Sequence, residues 1–495
     1  MLFTSAVFVC LYLPLVLALF FGLGLWRPHW AATALFAASL LFYGVWMPGY
    51  VLLLLGSIAG NFLIGQRITA ARRLDRPRRA WRWMVTGICA NLGMLAYYKY
   101  ANFLVDNLNA ITGQHWTLAP VLLPIGISFF TFTQIAFLAD SYQKGVEEPR
   151  FSHYGLFVTY FPHLIAGPVL HHAQMMPQFR DPSTYRWQGA HISAGLLVFV
   201  IGLFKKVVLA DGISPYADAV FNPVDAGQLP SLQEAWLGVL AYTLQIYFDF
   251  SGYSDMAIGL SRLFNISLPF NFNSPYRAGS ISEFWRRWHI SLSTFLRDYL
   301  YITLGGNRHG QFRRALNLGA TMVLGGLWHG ANWSFVLWGA LHGGYLMIHQ
   351  GFRALCGPEL QRRLAQSRIW RGLAWVLTML SVILAWVFFR ASTLDGALHM
   401  LQALVPGGAG TGGIDRLLWA AGLPAPRGWW LCALLGLAAV TLPNSNVLGQ
   451  RLLALMHERP PLRSFASGAA LSAVALLVLL NTARDGVSAF IYFNF

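Results

Sequence analysis

The chain has 495 residues and is strongly apolar, with 56% hydrophobic residues, 11% charged residues and a mean hydropathy of +0.50. Soluble domains usually carry roughly 25% charged residues, so this composition excludes a series of water-soluble domains. The net charge is +16, from 35 Lys and Arg against 19 Asp and Glu. Such an excess suggests nucleic-acid binding only if the charge gathers in one patch.

Long apolar runs recur along the chain. Runs of about 17–25 apolar residues match the hydrocarbon thickness of a bilayer. The pattern predicts an all-α polytopic membrane protein with about 10–12 transmembrane helices plus interfacial and re-entrant helices. The runs lie at about 5–25, 30–47, 50–66, 84–98, 119–139, 190–204, 232–248, 315–350, 370–389, 429–447 and 465–482.

Three arginine-rich stretches carry the whole positive excess. Residues 67–82, 262–314 and 353–371 hold net charges of +6, +6 and +4, and the rest of the chain cancels. Short Arg-rich loops stay in the cytoplasm, so Arg27 and the first stretch predict an N-terminus on the outer side of the membrane. Topology and lipid headgroups explain charge placed in this way. We therefore expect the lipid bilayer, and no nucleic acid, as a partner.

Two motifs interrupt the apolar runs before residue 260. The segment Phe161-Pro-His-Leu-Ile-Ala-Gly-Pro168 mixes helix breakers with apolar residues, which indicates an interrupted or re-entrant segment. In the segment 247–255, Asp249 and Asp255 lie six residues apart and do not share a helix face. We expect Gly252 to end the helix between them. Buried carboxylates need partners, and nearby arginines are expected to supply structural ion pairs.

The pattern of residues 280–299 predicts an amphipathic helix. Ser280 and Glu283 have the spacing of a capping box, which predicts a helix start. At helical spacing Trp285 and His289 fall on the apolar face, and the arginines fall elsewhere. An interfacial helix with snorkelling arginines is the alternative to a catalytic segment, but it leaves the inward histidine unexplained.

The segment Leu324-Gly-Gly-Leu-Trp-His-Gly-Ala-Asn332 lies inside the apolar block 315–350. Both flanks of the block are Arg-rich, so the block predicts a hairpin of two short spans. His329 follows Arg314 by 15 residues, about 23 Å along a helix, and is expected deep in the membrane near the turn. An ionisable side chain there is a functional candidate, with a neutral core histidine as the equal alternative. The glycines beside it permit close approach of a substrate or another backbone.

Several common catalytic patterns do not occur in the sequence. It contains no Gly-Lys-Ser/Thr, no HExxH and no GxSxG, which excludes a P-loop ATPase and the commonest zinc-protease and nucleophile-elbow patterns. The cysteines are scattered without paired spacing, so neither a disulfide framework nor a metal site is expected. They are Cys10, Cys89, Cys356 and Cys432.

Six blocks stand out together: Pro124-Ile-Gly-Ile-Ser-Phe-Phe130, Phe161-Pro-His-Leu-Ile-Ala-Gly-Pro-Val169, Tyr247-Phe-Asp-Phe-Ser-Gly-Tyr-Ser-Asp255, Glu283-Phe-Trp-Arg-Arg-Trp-His289, Arg297-Asp-Tyr-Leu-Tyr-Ile-Thr-Leu-Gly-Gly-Asn-Arg308 and Gly325-Gly-Leu-Trp-His-Gly-Ala-Asn332. In this order they resemble the membrane-bound O-acyltransferase family, and within it the bacterial branch that acetylates polysaccharides such as alginate and cellulose. The resemblance is strongest over residues 120–345.

The resemblance implies a ring of tilted helices around a thinned centre, where a cytoplasmic cavity and an outer funnel meet. It implies that His329 is the catalytic residue and that His289 is a second site residue. It divides the chain into N-terminal transmembrane helices at 1–118, a catalytic core at 119–350 and C-terminal transmembrane helices at 351–495.

The resemblance also implies a bacterial inner-membrane enzyme that takes acetyl from a cytoplasmic donor, acetyl-CoA, with no bound cofactor. Its expected partners are a periplasmic acetyltransferase, a polysaccharide synthase and export complex, and the exported polysaccharide. The donor is expected to contact Arg286, Arg287, Arg297, Arg308 and Asn307. The pocket is expected to be lined by Trp285, Trp288, Trp328, Tyr253, Asp255 and Asn332.

Two alternatives stay open. A D-alanyl transferase of the teichoic-acid type would take its acyl group from a small carrier protein. A non-enzymatic polysaccharide transporter or scaffold would be expected to show repeat symmetry and several paired intramembrane charges, and the sequence shows neither convincingly.

Overall fold

The computed structural model describes residues 2–119, 121–165, 167–408, 415–483 and 490–491. Within these ranges the chain consists of α-helices joined by short π-helical and 3₁₀ segments and turns, with no β-strand. The prediction of an all-α protein is confirmed. In a bilayer an α-helix satisfies its own backbone hydrogen bonds, which explains why apolar runs of this length fold in this way.

The helices form two compact units. The described residues of Met1–Leu203, Tyr253–Pro269 and Gly449–Asn494 form the first unit, and those of Phe204–Gly252 and Phe270–Leu448 form the second unit. The division of the chain at 1–118, 119–350 and 351–495 remains a prediction, because it was drawn from the positions of sequence motifs and these units are defined by packing.

The helices up to the first unit boundary are α1 Leu13–Trp26, α2 Pro28–Trp46, α3 Val51–Arg73, α4 Pro77–Leu95, α5 Ala101–Thr112, α6 Ile127–Gln143, α7 Phe151–Thr159, α8 Phe161–Leu164, α9 His172–Arg180 and α10 Gly189–Phe204. The later helices are α11 Asp211–Asp225, α12 Leu232–Leu263, α13 Ile281–Arg287, α14 Ile290–Phe295, α15 Gly310–His329, α16 Trp333–Gln366, α17 Arg368–Arg390, α18 Leu394–Ala403, α19 Arg416–Ala420, α20 Ala425–Thr441, α21 Ser445–Glu458 and α22 Pro460–Thr482. A left-handed residue, Gly357, interrupts α16.

In the first unit, α6 packs against both α3 and α4 at positions without side chains. A Cβ added at Gly65 would collide with the Phe137 ring, and one added at Gly87 would collide with Leu138. Helix α8 has only four residues and lies between α7 and α9. The predicted interruption at the Phe161 motif is thus confirmed for the described residues, with Ala166 of that motif lying outside them.

Six helical stretches in the described part of the chain are long and apolar enough to cross a bilayer, and the bent pair α20–α21 gives a seventh if it counts as one span. The higher predicted number of spans stays a prediction. Some of the predicted apolar runs are not among these stretches, because their helices are short or carry charge. Helix α6 has 17 residues, and α15 carries Arg313 and Arg314 near its start. The six stretches are Phe8–Trp26, Pro28–Trp46, Pro48–Arg73, Gly189–Asp225, Arg368–Arg390 and Pro460–Thr482.

In the second unit, α15 and α16 form the predicted hairpin. A three-residue turn joins them, and the side-chain oxygen of Asn332 caps α16 by accepting from the Ser334 N–H at 2.9 Å. A Cβ added at Gly326 would collide with the Phe335 carbonyl oxygen, and one added at Gly339 with the Met322 carbonyl oxygen. The expected close approach is therefore made by the backbone of the neighbouring helix.

Replacing Gly326 with Ala is expected to push α15 away from α16, because the added methyl group meets backbone that cannot rotate away. Overpacking of this kind typically costs about 1–3 kcal/mol. Thermal unfolding in detergent measures the loss. Replacing Gly344 with Ala is the matched control, since a Cβ there meets nothing within 4 Å, and equal melting of both variants would contradict the close packing.

A cluster of charged side chains with little access to solvent joins three elements of the second unit. The Lys206 ammonium, in the π-helical segment between α10 and α11, lies 2.7 Å from an Asp249 carboxylate oxygen and 2.8 Å from one of Asp211. Helix α12 runs unbroken through Gly252, so the expected helix end there is wrong. The expected arginine partner for Asp249 is also wrong, because a lysine fills that role. We call these three side chains the Lys206 cluster.

Candidate active site

His289 lies at a break between two short helices and not on a continuous amphipathic helix. Helix α13 ends at Arg287, α14 begins at Ile290, and His289 has left-handed backbone angles of φ 43° and ψ 55°. The prediction of one helix across this segment is therefore wrong. The predicted helix start is confirmed, since the Ser280 hydroxyl accepts from the Glu283 N–H at 3.2 Å.

Asn271 holds the left-handed segment in place. Its side-chain oxygen accepts from the Ser291 hydroxyl at 2.9 Å and lies 3.0 Å from His289 Nδ1. Its backbone oxygen accepts from the Ile290 N–H at 2.9 Å. Left-handed backbone at a bulky residue costs about 1–3 kcal/mol and persists where the surroundings determine it fully. The amide oxygen is an acceptor, so Nδ1 of His289 carries the proton and Nε2 is the basic nitrogen.

His329 is the last residue of α15 and is 4% exposed. Because α15 is continuous from Gly310, His329 lies at the opposite end of the helix from Arg313 and Arg314. Its ring packs edge-on against Trp338 and Phe389, with centroid distances of 5.0 Å to each. The predicted place at the turn of the hairpin is confirmed.

Trp328 connects the two predicted histidines. The ring centroid of Trp328 lies 5.0 Å from that of His329 and 6.3 Å from that of His289. His289 also packs edge-on against Phe250 at 4.7 Å. All of these residues belong to the second unit. The structure thus brings together His289, Trp328 and His329, although the two histidines lie 40 residues apart in sequence.

An aromatic shell surrounds the histidines. Trp338 stacks on Trp386 at 5.9 Å, and Trp386 lies 4.9 Å from Trp288. Trp285 lies 5.7 Å from Trp338, which places two of the predicted pocket tryptophans in the shell. The shell therefore excludes water from the imidazoles and lowers the local dielectric constant, so that polar groups inside it interact strongly.

The predicted donor-binding arginines fall into two groups. Arg287 pairs with Glu283 at 2.8 Å and Arg297 with Asp298 at 2.7 Å. The hydrogen bond to Asp298 raises the pKa of Arg297 above its ordinary value. Arg286 donates to the Ser282 hydroxyl at 3.1 Å. In the described ranges Arg286 and Arg308 are exposed and form no ion pair. No carboxylate in those ranges neutralises their positive charge, in contrast to Arg287 and Arg297.

The remaining predicted site residues are more dispersed. Tyr253 and Asp255 are buried in the first unit, where the Tyr253 ring stacks on Phe3 at 5.0 Å. Asn332 caps α16, and its amide also donates to the Ser392 carbonyl oxygen at 3.2 Å. Asn307 is exposed, and its side-chain oxygen accepts from the Tyr301 hydroxyl.

Sequence reasoning missed three residues of this region: Asn271, Trp338 and His342. Trp338 and His342 lie four residues apart in the predicted hairpin, so the helical period would have placed them on one face. Asn271 gives no such signal, because it lies in an irregular segment 18 residues before the histidine that it holds.

The site is rich in imidazoles. A buried histidine can act as a general base or as a nucleophile when its basic nitrogen reaches a reacting group. In the described residues no group of three or more His, Cys, Asp or Glu side chains is arranged to hold a metal ion. The fold and the site thus define a multi-span membrane protein with a histidine-based centre.

Comparison with known proteins identifies the family. Residues 80–389 match the model of the membrane-bound O-acyltransferase family, and the chain belongs to that family and is an O-acyltransferase. The chain is 41% identical to a peptidoglycan O-acetyltransferase of Helicobacter pylori, over 82% of this chain and 80% of the relative. It is 44% identical to a probable alginate O-acetylase of Pseudomonas aeruginosa, over 82% of this chain and 75% of the relative.

A more distant relative is a teichoic acid D-alanyltransferase of Streptococcus thermophilus. It is 26% identical over 46% of this chain and 57% of the relative. The resemblance read from the sequence motifs is confirmed at the level of the family.

Proposed function

We propose that this protein transfers acetyl groups from a cytoplasmic thioester donor, acetyl-CoA, to an exported polysaccharide, directly or through a periplasmic acetyltransferase. The observation that carries the proposal is the position of His329, at the far end of α15 from its arginines and beside Trp328 and His289. The names of the relatives support acetyl as the group and a cell-surface polymer as the acceptor.

The chemistry assigned to His329 is general-base catalysis. Its imidazole removes the proton of an acceptor hydroxyl, and the hydroxyl oxygen attacks the carbonyl carbon of the thioester. The carbon–sulfur bond then breaks, and the imidazolium returns the proton to the departing thiolate. In an acyl-histidine route the imidazole nitrogen attacks the carbonyl carbon, the carbon–sulfur bond breaks and the thiolate leaves. The acceptor hydroxyl then attacks the acyl-histidine, the carbon–nitrogen bond breaks, and the hydroxyl proton passes to the thiolate. His289 assists by orienting the acceptor or by sharing the proton.

The donor's phosphates are assigned to the arginine-rich segment. Arg286 and Arg308 are the stronger candidates there, because Arg287 and Arg297 already pair with carboxylates. Asn307 adds an amide. A planar guanidinium binds phosphate oxygens through two parallel hydrogen bonds, which suits an anionic donor.

The proposed setting is the bacterial inner membrane, with the N-terminus in the periplasm. The Arg-rich stretches support this orientation through the positive-inside rule. A polysaccharide synthase and export complex would then supply the acceptor on the outer face, and a periplasmic acetyltransferase would complete the transfer where the acetyl group does not reach the polymer directly.

Purified protein with labelled acetyl-CoA tests the proposal. We expect thioester cleavage or acetyl transfer that depends on His329. Transfer only from an acylated carrier protein would indicate a D-alanyl transferase. Tight polysaccharide binding without turnover would indicate a non-enzymatic scaffold. Either result would contradict acetyl transfer from acetyl-CoA.

Asn271 gives a prediction about positioning. Replacing Asn271 with Leu removes the acceptor that fixes His289 Nδ1, so the imidazole can adopt the wrong tautomer. By analogy with partners that orient catalytic and metal-bound histidines, we expect a loss of about 10- to 100-fold in acetyl transfer. The variant Asn271→Asp keeps an acceptor oxygen and should retain more activity. Equal loss in both variants would show that the amide oxygen does not act through His289.

A further inference from the structure

Three buried hydrogen-bond donors follow one another along α16. They are the Ser334 hydroxyl, the Trp338 indole N–H and the His342 imidazole, spaced four residues apart, or about 6 Å along the helix axis. All three side chains are at most 1% exposed. Within the described residues, Ser334 Oγ, Trp338 Nε1 and His342 Nε2 have no hydrogen-bond partner. We call this set the α16 donor row.

Hydrogen bonding fixes which nitrogen of His342 is the donor. The Trp285 indole N–H donates to His342 Nδ1 at 3.3 Å. Because an indole nitrogen can only donate, Nδ1 must be the accepting nitrogen, and in the neutral ring the proton lies on Nε2. Phe284 stacks nearly parallel to the ring, with 8° between the planes, and holds its orientation.

The α16 donor row adjoins the proposed catalytic histidine. The Trp338 ring packs edge-on against His329 at 5.0 Å and against His342 at 4.8 Å. Trp338 therefore lies in contact with both imidazoles. Its indole N–H, which has no hydrogen-bond partner within the described residues, lies on the side chain next to His329, the residue proposed to act on the substrate.

Buried donors that lack acceptors lower the stability of a folded protein, and most native structures avoid them. Three on successive turns of one helix, next to a site, indicate a ligand that supplies acceptors. The indole N–H and the Nε2–H can only donate here, so the ligand must present acceptor atoms with lone pairs, such as carbonyl oxygens, and not N–H groups.

We propose that the α16 donor row binds the carbonyl oxygens of an acyl thioester on a pantetheine arm, with the thioester oxygen at the Trp338 and His342 N–H groups. This inference rests on the proposed acyl transfer. The oxygen gains negative charge when the carbonyl carbon is attacked, and fixed donors in a dry site stabilise that charge strongly. A pantetheine arm is an extended chain with amide carbonyls behind the thioester, which suits donors in a row. Coenzyme A and acyl-carrier proteins share this arm.

Binding is measured by calorimetry in detergent, in a His329→Ala background so that no turnover occurs. The first probe is S-acetylpantetheine, which carries the arm and the thioester. The second probe is adenosine 3′,5′-bisphosphate, which carries phosphates without the arm. Acetyl-CoA and an acetylated carrier protein, compared with S-acetylpantetheine, show which source of the arm binds more tightly.

Trp338→Phe and His342→Phe each keep an aromatic ring and remove one donor. We expect each to weaken S-acetylpantetheine binding about tenfold, the effect of one hydrogen bond, and to leave bisphosphate binding unchanged. His342→Gln restores an N–H donor and should recover most of the affinity. Trp333→Phe, at an exposed position of the same helix, and His115→Phe, at an exposed loop position, are the matched controls and should bind like the parent.

Folding of each variant is checked by thermal melting. His342→Phe leaves the Trp285 N–H without its acceptor, so the double variant Trp285→Phe/His342→Phe, which removes both partners, is included to retain stability. It should melt near the parent and bind S-acetylpantetheine as weakly as His342→Phe.

Three results would overturn the inference: no binding of S-acetylpantetheine by the parent, unchanged binding in Trp338→Phe and His342→Phe, or equal weakening of both probes. The proposed function is judged separately, by turnover in protein that retains His329. A protein that binds the arm through the α16 donor row but transfers no acetyl contradicts the proposed function alone. One that transfers acetyl while its variants bind normally contradicts this inference alone.

Discussion

Replacing His329 with Ala is expected to reduce acetyl transfer by about 10²–10⁴-fold, the usual contribution of a general base. The residue lies where α15 ends, and its ring is held by Trp338 and Phe389. The measurement is the initial rate of transfer from labelled acetyl-CoA by purified protein, normalised to the amount of folded protein.

Two further variants make this result specific. His329→Gln keeps a polar side chain of similar length and should be nearly as inactive, because an amide is not basic. His115→Ala, at an exposed loop position, should keep the parent rate. A His329→Ala protein that melts like the parent and transfers acetyl at the parent rate would exclude His329 from the reaction.

Replacing Lys206 with Met is expected to cause the largest loss of stability of any single change considered for this protein. It removes the cation from the Lys206 cluster and leaves the carboxylates of Asp211 and Asp249 near each other, with side chains only 8% and 2% exposed. Removing one partner from a buried ion pair typically costs about 3–5 kcal/mol, because the other charge stays out of water. Unfolding in detergent, followed by loss of helical signal, measures the change.

The controls for the Lys206 cluster follow from the same physics. The triple variant Lys206→Met/Asp211→Asn/Asp249→Asn removes all three charges and should recover much of the stability. Arg363→Met breaks an exposed ion pair with Glu359 and should change stability by about 0–1 kcal/mol. If Lys206→Met unfolds no more readily than Arg363→Met, the cluster does not hold the second unit together.

The hairpin was predictable from the sequence because charge and hydropathy act locally. Arginines on both flanks of an apolar block require an even number of crossings, and the Gly-Ala-Asn sequence after His329 supplies the turn. The course of α12 was not predictable in the same way. Gly252 is a weak helix former, but the helix continues through it, so tertiary structure overrides propensity.

The histidine pair was predictable only in part. His329 stands out because ionisable residues are rare in apolar blocks. For His289 the helical period predicted a side chain turned towards the apolar interior, and the ring is buried, but the continuous helix from which that was predicted does not exist. The ring is placed by a left-handed turn at His289, which Asn271 holds through contacts with residues 18 and 20 positions later in the sequence. A local sequence pattern cannot predict contacts over that separation. Local periodicity also could not show that Tyr253 and Asp255 lie in the first unit.

Vectorial transfer in proteoliposomes tests the central claim most directly. The protein is reconstituted, labelled acetyl-CoA is supplied only on the side of the arginine-rich loops, and an acceptor polysaccharide is supplied only on the other side, with and without a periplasmic acetyltransferase. We predict label on the polysaccharide with the parent protein and none with His329→Ala. Label that stays on the donor side with the parent protein, or equal labelling by the parent and His329→Ala, would contradict the claim that this chain passes acetyl across the membrane through His329.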